Sequence, residues 1–364
     1  MSFRDFYGNA NVVRRLREML ARDRFPHAVI LAGPTGAGKY TLAQMVAKAM
    51  NCLAPTTADG LPDYCGKCAN CARIAGADEL EARFAEAVEA REALRETDKK
   101  DTRILIQSHP EVMVVPPDPP QMLIKIGQVR KVIESVNFRP VEAKRKVYIF
   151  TEASFMKEAA NSLLKVLEEP PDFATIFLLA ENPGDLLPTI RSRCVTFTLQ
   201  SLPVTEIAGF LASVRPEWDA RQRQLVARLC GGAAGRARSF DLEAYGAARR
   251  DALLLLQSAL GADDHSALFR MTETYRSGAE GRDKTDSLLR ACYSLLEDLM
   301  FLKSGTPELV RNTDIQGELT RLANLLTFDW IVRASAELGK VESGMRRNLL
   351  RSLSLDAFAA TLER

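Results

Sequence analysis

Seven residues, Gly33-Pro34-Thr35-Gly36-Ala37-Gly38-Lys39, constrain this chain more than any other stretch. They follow a short apolar run, Val29-Ile30-Leu31-Ala32. They lead into a helical pattern with apolar positions at Leu42, Met45, Val46 and Ala49. Strand, glycine loop and helix is the setting a phosphate loop needs. Small residues let successive backbone N–H groups converge on phosphate oxygens, while a lysine reaches the outer phosphates. A glycine-rich turn with a chance lysine is the plainer reading, and the flanks argue against it. Gly33, Gly36, Gly38 and Lys39 are therefore candidate nucleotide contacts.

The same region repeats the strand pattern. Val112–Val115, Lys146–Phe150, Thr175–Leu179 and Cys194–Phe197 are further short apolar runs, with helical periodicity between them. Strands separated by helices predict an α/β fold with a mostly parallel sheet covered on both faces. This region ends near residue 200. A small helical region follows over 201–243, opening at Pro203-Val204-Thr205-Glu206 and broken by Cys230-Gly231-Gly232. Residues 244–364 are helical almost throughout. The runs include Ala247–Leu260, Thr285–Leu302, Ile315–Leu326 and Ser343–Leu362, punctuated by Gly305-Thr306-Pro307. A helical bundle is predicted there.

Two residues argue against hydrolysis at the loop. A working phosphate loop carries Ser or Thr after the lysine, where the hydroxyl holds magnesium. Here the residue is Tyr40, whose phenol lies beyond the reach of a serine hydroxyl. Thr41 brings a candidate nucleotide-side hydroxyl one position later, about 100° around the helix, where it does not replace the magnesium ligand. The second acidic motif should be an apolar strand ending in Asp-Glu. The match, Val147-Tyr148-Ile149-Phe150-Thr151-Glu152, keeps the Glu and has Thr151 at the Asp position. Two changes at one ion point to a structural or regulatory subunit and away from a motor. Binding of ATP or ADP stays open.

Cys65-Gly66-Lys67-Cys68-Ala69-Asn70-Cys71 places three thiols close together, and Cys52 upstream makes four. Four thiolates at such spacing suit one structural zinc ion and leave no open position for catalysis. Buried or disulfide cysteines, a redox pair and an iron–sulfur cluster are the alternatives. The stretch Asn51–Tyr64, with Pro55, Gly60 and Pro62, is predicted to be a loop. Cys194, Cys230 and Cys292 are scattered and read as buried apolar residues.

Asp78–Arg103 holds nine acidic and six basic residues, which is out of proportion to its surroundings. Glu79 and Arg83 are spaced for an ion pair on a helix, and Leu80, Phe84, Val88 and Leu94 form a thin apolar stripe. A surface helix or helical hairpin, inserted in the first region, is predicted. It reads as a solvated spacer, with a partner-binding helix the alternative.

Charge excludes little. Forty-nine Lys and Arg against forty-seven Asp and Glu give a formal +2, far from the balance of a dedicated nucleic-acid wrapper. No run approaches the ~18 consecutive apolar residues of a membrane span. Met1–Phe6 has no apolar signal core, so a cytoplasmic place is expected.

Further motifs give a family likeness. They are His109-Pro110-Glu111 before a strand, Asn161-Ser162-Leu163-Leu164-Lys165 running on to Glu168-Glu169-Pro170-Pro171, and Ser192-Arg193-Cys194. With the phosphate loop and the cysteines they resemble the bacterial DNA polymerase III clamp-loader subunits, a branch of the AAA+ family. The delta-prime class is the nearest likeness. The resemblance implies an AAA+ domain over 1–200 with a zinc module at 52–71 and an insertion at 78–103. It further implies a lid over 201–243 and an all-α collar over 244–364. It implies a five-membered ring that uses ATP to load a sliding clamp on primed DNA. The implied partners are a gamma/tau-type ATPase subunit, a delta subunit and, through the assembly, clamp and DNA at the replisome, with no membrane.

Under that likeness Arg193 is the arginine finger that reaches the ATP of the neighbouring subunit, and Ser192 fixes the helix end before it. A guanidinium can neutralise charge on a terminal phosphate across an interface. A surface salt bridge is the plainer role for Arg193, and Arg191 is a weaker candidate helper. Arg236, in Gly235-Arg236-Ala237, matches a sensor that touches nucleotide in cis. Glu181 stands where active relatives carry Thr, Ser or Asn, and an acid beside a polyphosphate is repulsive. Phe6-Tyr7-Gly8-Asn9 resembles the segment over adenine, with a hydrophobic staple as the plainer role. The insertion departs from the family pattern, since His109 comes thirty-eight residues after Cys71. The rival within the family is an ATP-hydrolysing gamma/tau-type subunit, for which Thr or Ser at 40 and Asp at 151 are expected.

Overall fold

The computed structural model describes residues 2–261, 264–276, 278–345 and 350–362. They form two compact units, Met1–Pro203 with Gly232–Arg236, and Val204–Gly231 with Ala237–Arg364.

The first unit opens with helix α1 (Ala10–Ala21), strand β1 (Ala28–Ala32) and helix α2 (Lys39–Asn51). A hairpin of β2 (Thr56–Ala58) and β3 (Leu61–Asp63) precedes α3 (Ala69–Ala75), α4 (Leu80–Glu92) and α5 (Glu96–Asp101). Then come β4 (Ile106–His109), β5 (Val112–Val115), α6 (Ile126–Val136), β6 (Lys146–Phe150) and α7 (Lys157–Glu168). The unit ends with β7 (Ala174–Ala180), α8 (Pro188–Arg191) and β8 (Val195–Thr198). The sheet order is β4-β5-β6-β7-β1-β8, parallel except for the β4–β5 pair.

Alternation explains why the strands read as continuous apolar runs. Val29, Leu31, Val112, Val114, Val147, Ile149, Phe177 and Leu179 face one core with α1, α2 and α3. Ala28, Ile30, Met113, Val115, Tyr148, Phe150, Ile176 and Leu178 face the other with α6 and α7. Side chains alternate along a strand, so a sheet buried on both faces needs apolar residues at every position. The five predicted strands are present. The last begins at Val195, with Cys194 packed just before it.

The segment predicted as a loop over Asn51–Tyr64 contains the β2–β3 hairpin instead. Asp59 and Gly60 both have positive φ, 53° and 73°, the geometry of a two-residue hairpin turn that Asp-Gly favours. Arg17 of α1 holds the hairpin by donating to the carbonyls of Pro62 at 3.0 Å, Leu61 at 2.9 Å and Ala58.

The insertion is helical as predicted, with one changed pairing. Arg83 pairs with Glu86 at 2.8 Å and not with Glu79. Glu79 is the N-cap, with φ −85° and ψ 77°, so its side chain leaves the helix face. Leu80, Phe84 and Ala87 pack on the core, whereas Leu94 is 39% exposed. Arg91 carries the far end. It meets the buried Asp118 carboxylate at 2.5 Å, which Lys125 also reaches at 3.1 Å. A buried carboxylate held by two cations pins the insertion to the sheet layer.

The second unit is all helix among the described residues. Its helices are α9 (Val204–Val214), α10 (Ala220–Leu229), the end of α11 (Ala234–Arg238), α12 (Leu242–Ser258), α13 (Ser266–Glu273) and α14 (Gly278–Lys303). α15 (Gln316–Leu325), α16 (Phe328–Met345) and α17 (Arg351–Leu362) complete it. One core joins α12 to α17. The chain break at Gly305–Pro307 is secured by Asp298, which accepts from the backbone N–H of Arg311 at 2.7 Å and of Asn312 at 2.9 Å. The run predicted over Ser343–Leu362 includes 346–349, which lie outside the described residues. The described residues on either side belong to two helices, α16 and α17. α13 and most of α16 lie outside the named runs but within the stretch predicted to be helical almost throughout. Among the described residues no helix is long and apolar enough to cross a membrane.

Candidate functional site

The phosphate loop joins β1 to α2 as the spacing predicts. Gly33, Gly36 and Gly38 all have φ in the left-handed region, at 140°, 81° and 89°. Close approach also demands them. A Cβ on Gly33 would lie 2.3 Å from the Leu199 carbonyl oxygen, and one on Gly38 would lie 2.9 Å from the Phe6 ring. A Cβ on Gly36 would lie 2.5 Å from Arg236 Cγ. Gly235 donates its N–H to the Gly36 carbonyl at 2.8 Å. Phe6, among the residues singled out near the N-terminus, and Arg236 thus do meet the loop.

The loop satisfies its own lysine. Lys39 Nζ donates to the carbonyls of Gly33 at 2.5 Å and Pro34 at 3.0 Å. Burial lowers the Lys39 pKa, and the nearby Glu181 and Glu152 carboxylates pull it back up. Glu181 also accepts from the Thr35 hydroxyl. One acid therefore occupies the loop's hydroxyl and faces its cation. Thr41 is half-buried on the first turn of α2.

Tyr40 turns its side chain into the core. Its hydroxyl donates to the Ala77 carbonyl at 2.5 Å and accepts from Gln44 Nε2 at 2.7 Å. Burial raises its pKa well above the ordinary tyrosine value, so it stays a neutral donor. The ring packs with the core beneath α2, and no oxygen of residue 40 is offered to a metal. Tyr40→Phe is expected to cost about 1–3 kcal/mol by orphaning the buried Ala77 carbonyl. A chemical-denaturation midpoint measures that cost, and an unchanged midpoint refutes the role. At the second acidic position, the Thr151 backbone N–H bonds the Val115 carbonyl at 3.1 Å. Glu152 is exposed and accepts from the Ser154 hydroxyl at 3.0 Å.

The four cysteines come together from the end of α2, the β3–α3 turn and α3. Their sulfurs all lie within 4.8 Å of one another. Cys52 Sγ is 3.5 Å from Cys65 Sγ and 3.9 Å from Cys68 Sγ. Sulfurs bound to one tetrahedral zinc sit about 3.8 Å apart. All four are free thiols. Backbone N–H groups point at them: Lys67 and Cys68 at Cys65 Sγ (3.4 and 3.3 Å), Cys65 at Cys52 Sγ (3.3 Å) and Leu53 at Cys68 Sγ (3.4 Å). The Lys67 and Cys68 N–H groups lower the Cys65 pKa. Burial pushes Cys68 up, but the N–H groups of Cys71 and Leu53 and the neighbouring sulfurs outweigh it and hold the thiol down to about 6. Burial pushes Cys52 and Cys71 up. The cluster is geometrically suited to a metal ion.

Ser192 caps α8, its hydroxyl donating to the Thr189 carbonyl at 3.1 Å. Arg193 follows on the surface, ion-paired with Glu168 at 2.7 Å. This is the plainer role weighed for it, and it leaves the side chain 35% exposed. Cys194 is packed, and burial pushes its thiol up to about 12. Sequence reasoning missed the Thr35–Glu181 bond, the Tyr40–Ala77 bond and the Glu168 partner. Only the acid at 181 was a signal for any of them.

Residues 8–203 match the family described as DNA polymerase III, delta subunit. The delta-prime subunit of Bacillus subtilis DNA polymerase III is 32% identical over 192 residues, covering 52% of this chain and 47% of that protein. The Pseudomonas aeruginosa delta-prime subunit is 30% identical over 215 residues, covering 58% and 54%. The tau/gamma subunit of Haemophilus influenzae is 29% identical over 214 residues, covering 58% and 26%. The chain thus spans between about a quarter and about half the length of these relatives. The family match stops at Pro203, where the main segment of the first unit also stops. On that match the chain belongs to the DNA polymerase III delta subunit family, within the AAA+ clamp loaders.

Proposed function

We propose that this chain is a delta-prime-type subunit of the clamp loader, a partner that completes a neighbour's ATP site without hydrolysing ATP itself. The conformation of Tyr40 carries the reading. The position that should present a magnesium ligand presents a phenol bonded to Ala77 and Gln44 inside the core. Thr151 in place of a carboxylate, and Glu181 bonded into the loop, support it. Arg193 supplies the guanidinium in trans and Ser192 holds the turn that presents it. Gly33, Gly36, Gly38, Lys39, Thr41 and Arg236 remain nucleotide contacts for any ATP or ADP that binds without turnover. Cys52, Cys65, Cys68 and Cys71 hold one structural zinc.

Residues 1–200 serve as the AAA+ domain, 201–243 as the lid and 244–364 as the collar that joins the ring. The partners are gamma/tau-type ATPase and delta subunits, and through them the sliding clamp and primed DNA at the replisome. The test is ATP turnover by the isolated, zinc-replete protein with primed DNA and clamp present, with nucleotide binding scored in the same sample. No turnover is expected. Turnover that disappears in Lys39→Ala would move the gamma/tau-type reading to first place.

A further inference from the structure

The Arg193 guanidinium is already engaged within its own chain. Nη2 donates to Glu168 Oε1 at 2.7 Å, and Nη1 donates to the Thr189 carbonyl at 2.9 Å and lies 3.4 Å from Ser192 Oγ. Glu168 is the last residue of α7. A carboxylate is disfavoured at that end of a helix, where the dipole is negative and a cation is favoured. An acid there needs a partner, and Arg193 is the one it has. The next residue, Glu169, is also exposed and forms no ion pair among the described residues.

We propose that Glu168 is the resting partner of Arg193, which the guanidinium must leave before it can serve a nucleotide on the neighbouring subunit. This rests on the finger reading above. The reason is charge. A carboxylate in contact with the guanidinium cancels much of its positive charge, and would face incoming phosphate oxygens as a like charge. Arg193 cannot both keep its contact with Glu168 and offer its full charge to a terminal phosphate. Their side chains are 49% and 35% exposed, so the pair is weak and the exchange is easy. A triphosphate offers more charge and a better fork for the guanidinium than a diphosphate. The exchange therefore favours ATP over ADP. Glu168 is a positioning residue that sets how readily the finger engages, and it takes no part in the chemistry.

The experiment titrates ATP in the DNA-stimulated ATPase of a loader assembled with the full chain. Glu168→Gln is expected to lower the KM for ATP about two- to five-fold, the span of one exposed ion pair. It should leave kcat within about two-fold, because the finger has exchanged at saturation in either case. Glu169→Gln, the control for lost surface charge, should change neither. Glu168→Gln combined with Arg193→Ala should match Arg193→Ala alone. An unchanged or raised KM in Glu168→Gln, with Arg193→Ala still damaging, overturns the resting-partner role and spares the finger. The same KM shift in Glu169→Gln also overturns it. If Arg193→Ala itself leaves turnover untouched, the finger reading fails first.

Discussion

Loaders assembled with Arg193→Ala are expected to keep all their subunits and to lose DNA-stimulated ATP turnover at the site this chain faces. Fingers of this type contribute about 10³- to 10⁵-fold in kcat, by placing a delocalised cation on the charge that develops in phosphoryl transfer. The loss at that site should lie in this range. Turnover of the whole assembly falls by that site's share, or further if the sites fire in sequence. The folded chain should be nearly untouched, since an exposed ion pair such as Arg193–Glu168 contributes about 0–1 kcal/mol. Arg193→Lys keeps the charge but loses the planar fork, so it should restore little. Steady-state turnover alongside clamp loading measures the effect. Full activity of the alanine variant in an intact loader would remove the trans role.

Metal removal is the second large effect. Elemental analysis should find about one zinc per chain. Stripping it should melt the segment from Cys52 to Cys71, because structural zinc supplies on the order of 10 kcal/mol in small thiolate sites. The damage should not stay local. Cys52 ends α2, Cys71 rides α3, and both lie in the core on one face of the sheet. The thermal midpoint should therefore fall by roughly ten degrees or more, since each kcal/mol lost lowers the midpoint of a domain of this size by about 2–4 °C. Ligand thiols must lose their protons to bind, so falling pH favours release and lowers the chelator concentration needed. Cys68→Ser should reproduce the loss. A metal-free protein with an unchanged midpoint would refute the four-thiol site.

The α/β layer was legible because each parallel strand is apolar at every position, which only a doubly covered sheet demands. β4 was not. Ile106-Gln107-Ser108-His109 lies at the sheet edge, pairs antiparallel and buries mainly its two ends, so no apolar run marks it. The hairpin was missed for a related reason. Its strands are three residues each and contain Pro62, and the Asp59-Gly60 turn was its only strong signal. In the candidate site, residue types at fixed spacing could be read: the loop glycines, the four cysteines and Ser192-Arg193. What they bond to could not. Thr35 meets Glu181, Tyr40 meets Ala77 and Arg193 meets Glu168 across long stretches of chain, and no local periodicity encodes those meetings. The insertion lies between these cases. Its helicity was plain from composition, but its anchor, Arg91 on Asp118, required the fold to bring two charges under cover.

Tyr40 has a consequence for the history open to such a chain. The phenol fills space beneath α2 and satisfies the Ala77 carbonyl. A threonine at that position would supply the oxygen a magnesium ion wants. It would also remove the packing of the ring and orphan the carbonyl, the second of these alone at a cost of about 1–3 kcal/mol. An aspartate at 151 would then have to arrive before any metal could offset that loss. The step at 40 is harmful on its own. If the chain does not turn over ATP, as proposed above, the side chain works as a ratchet, and a phosphate loop packed in this way has no single-substitution road to a motor.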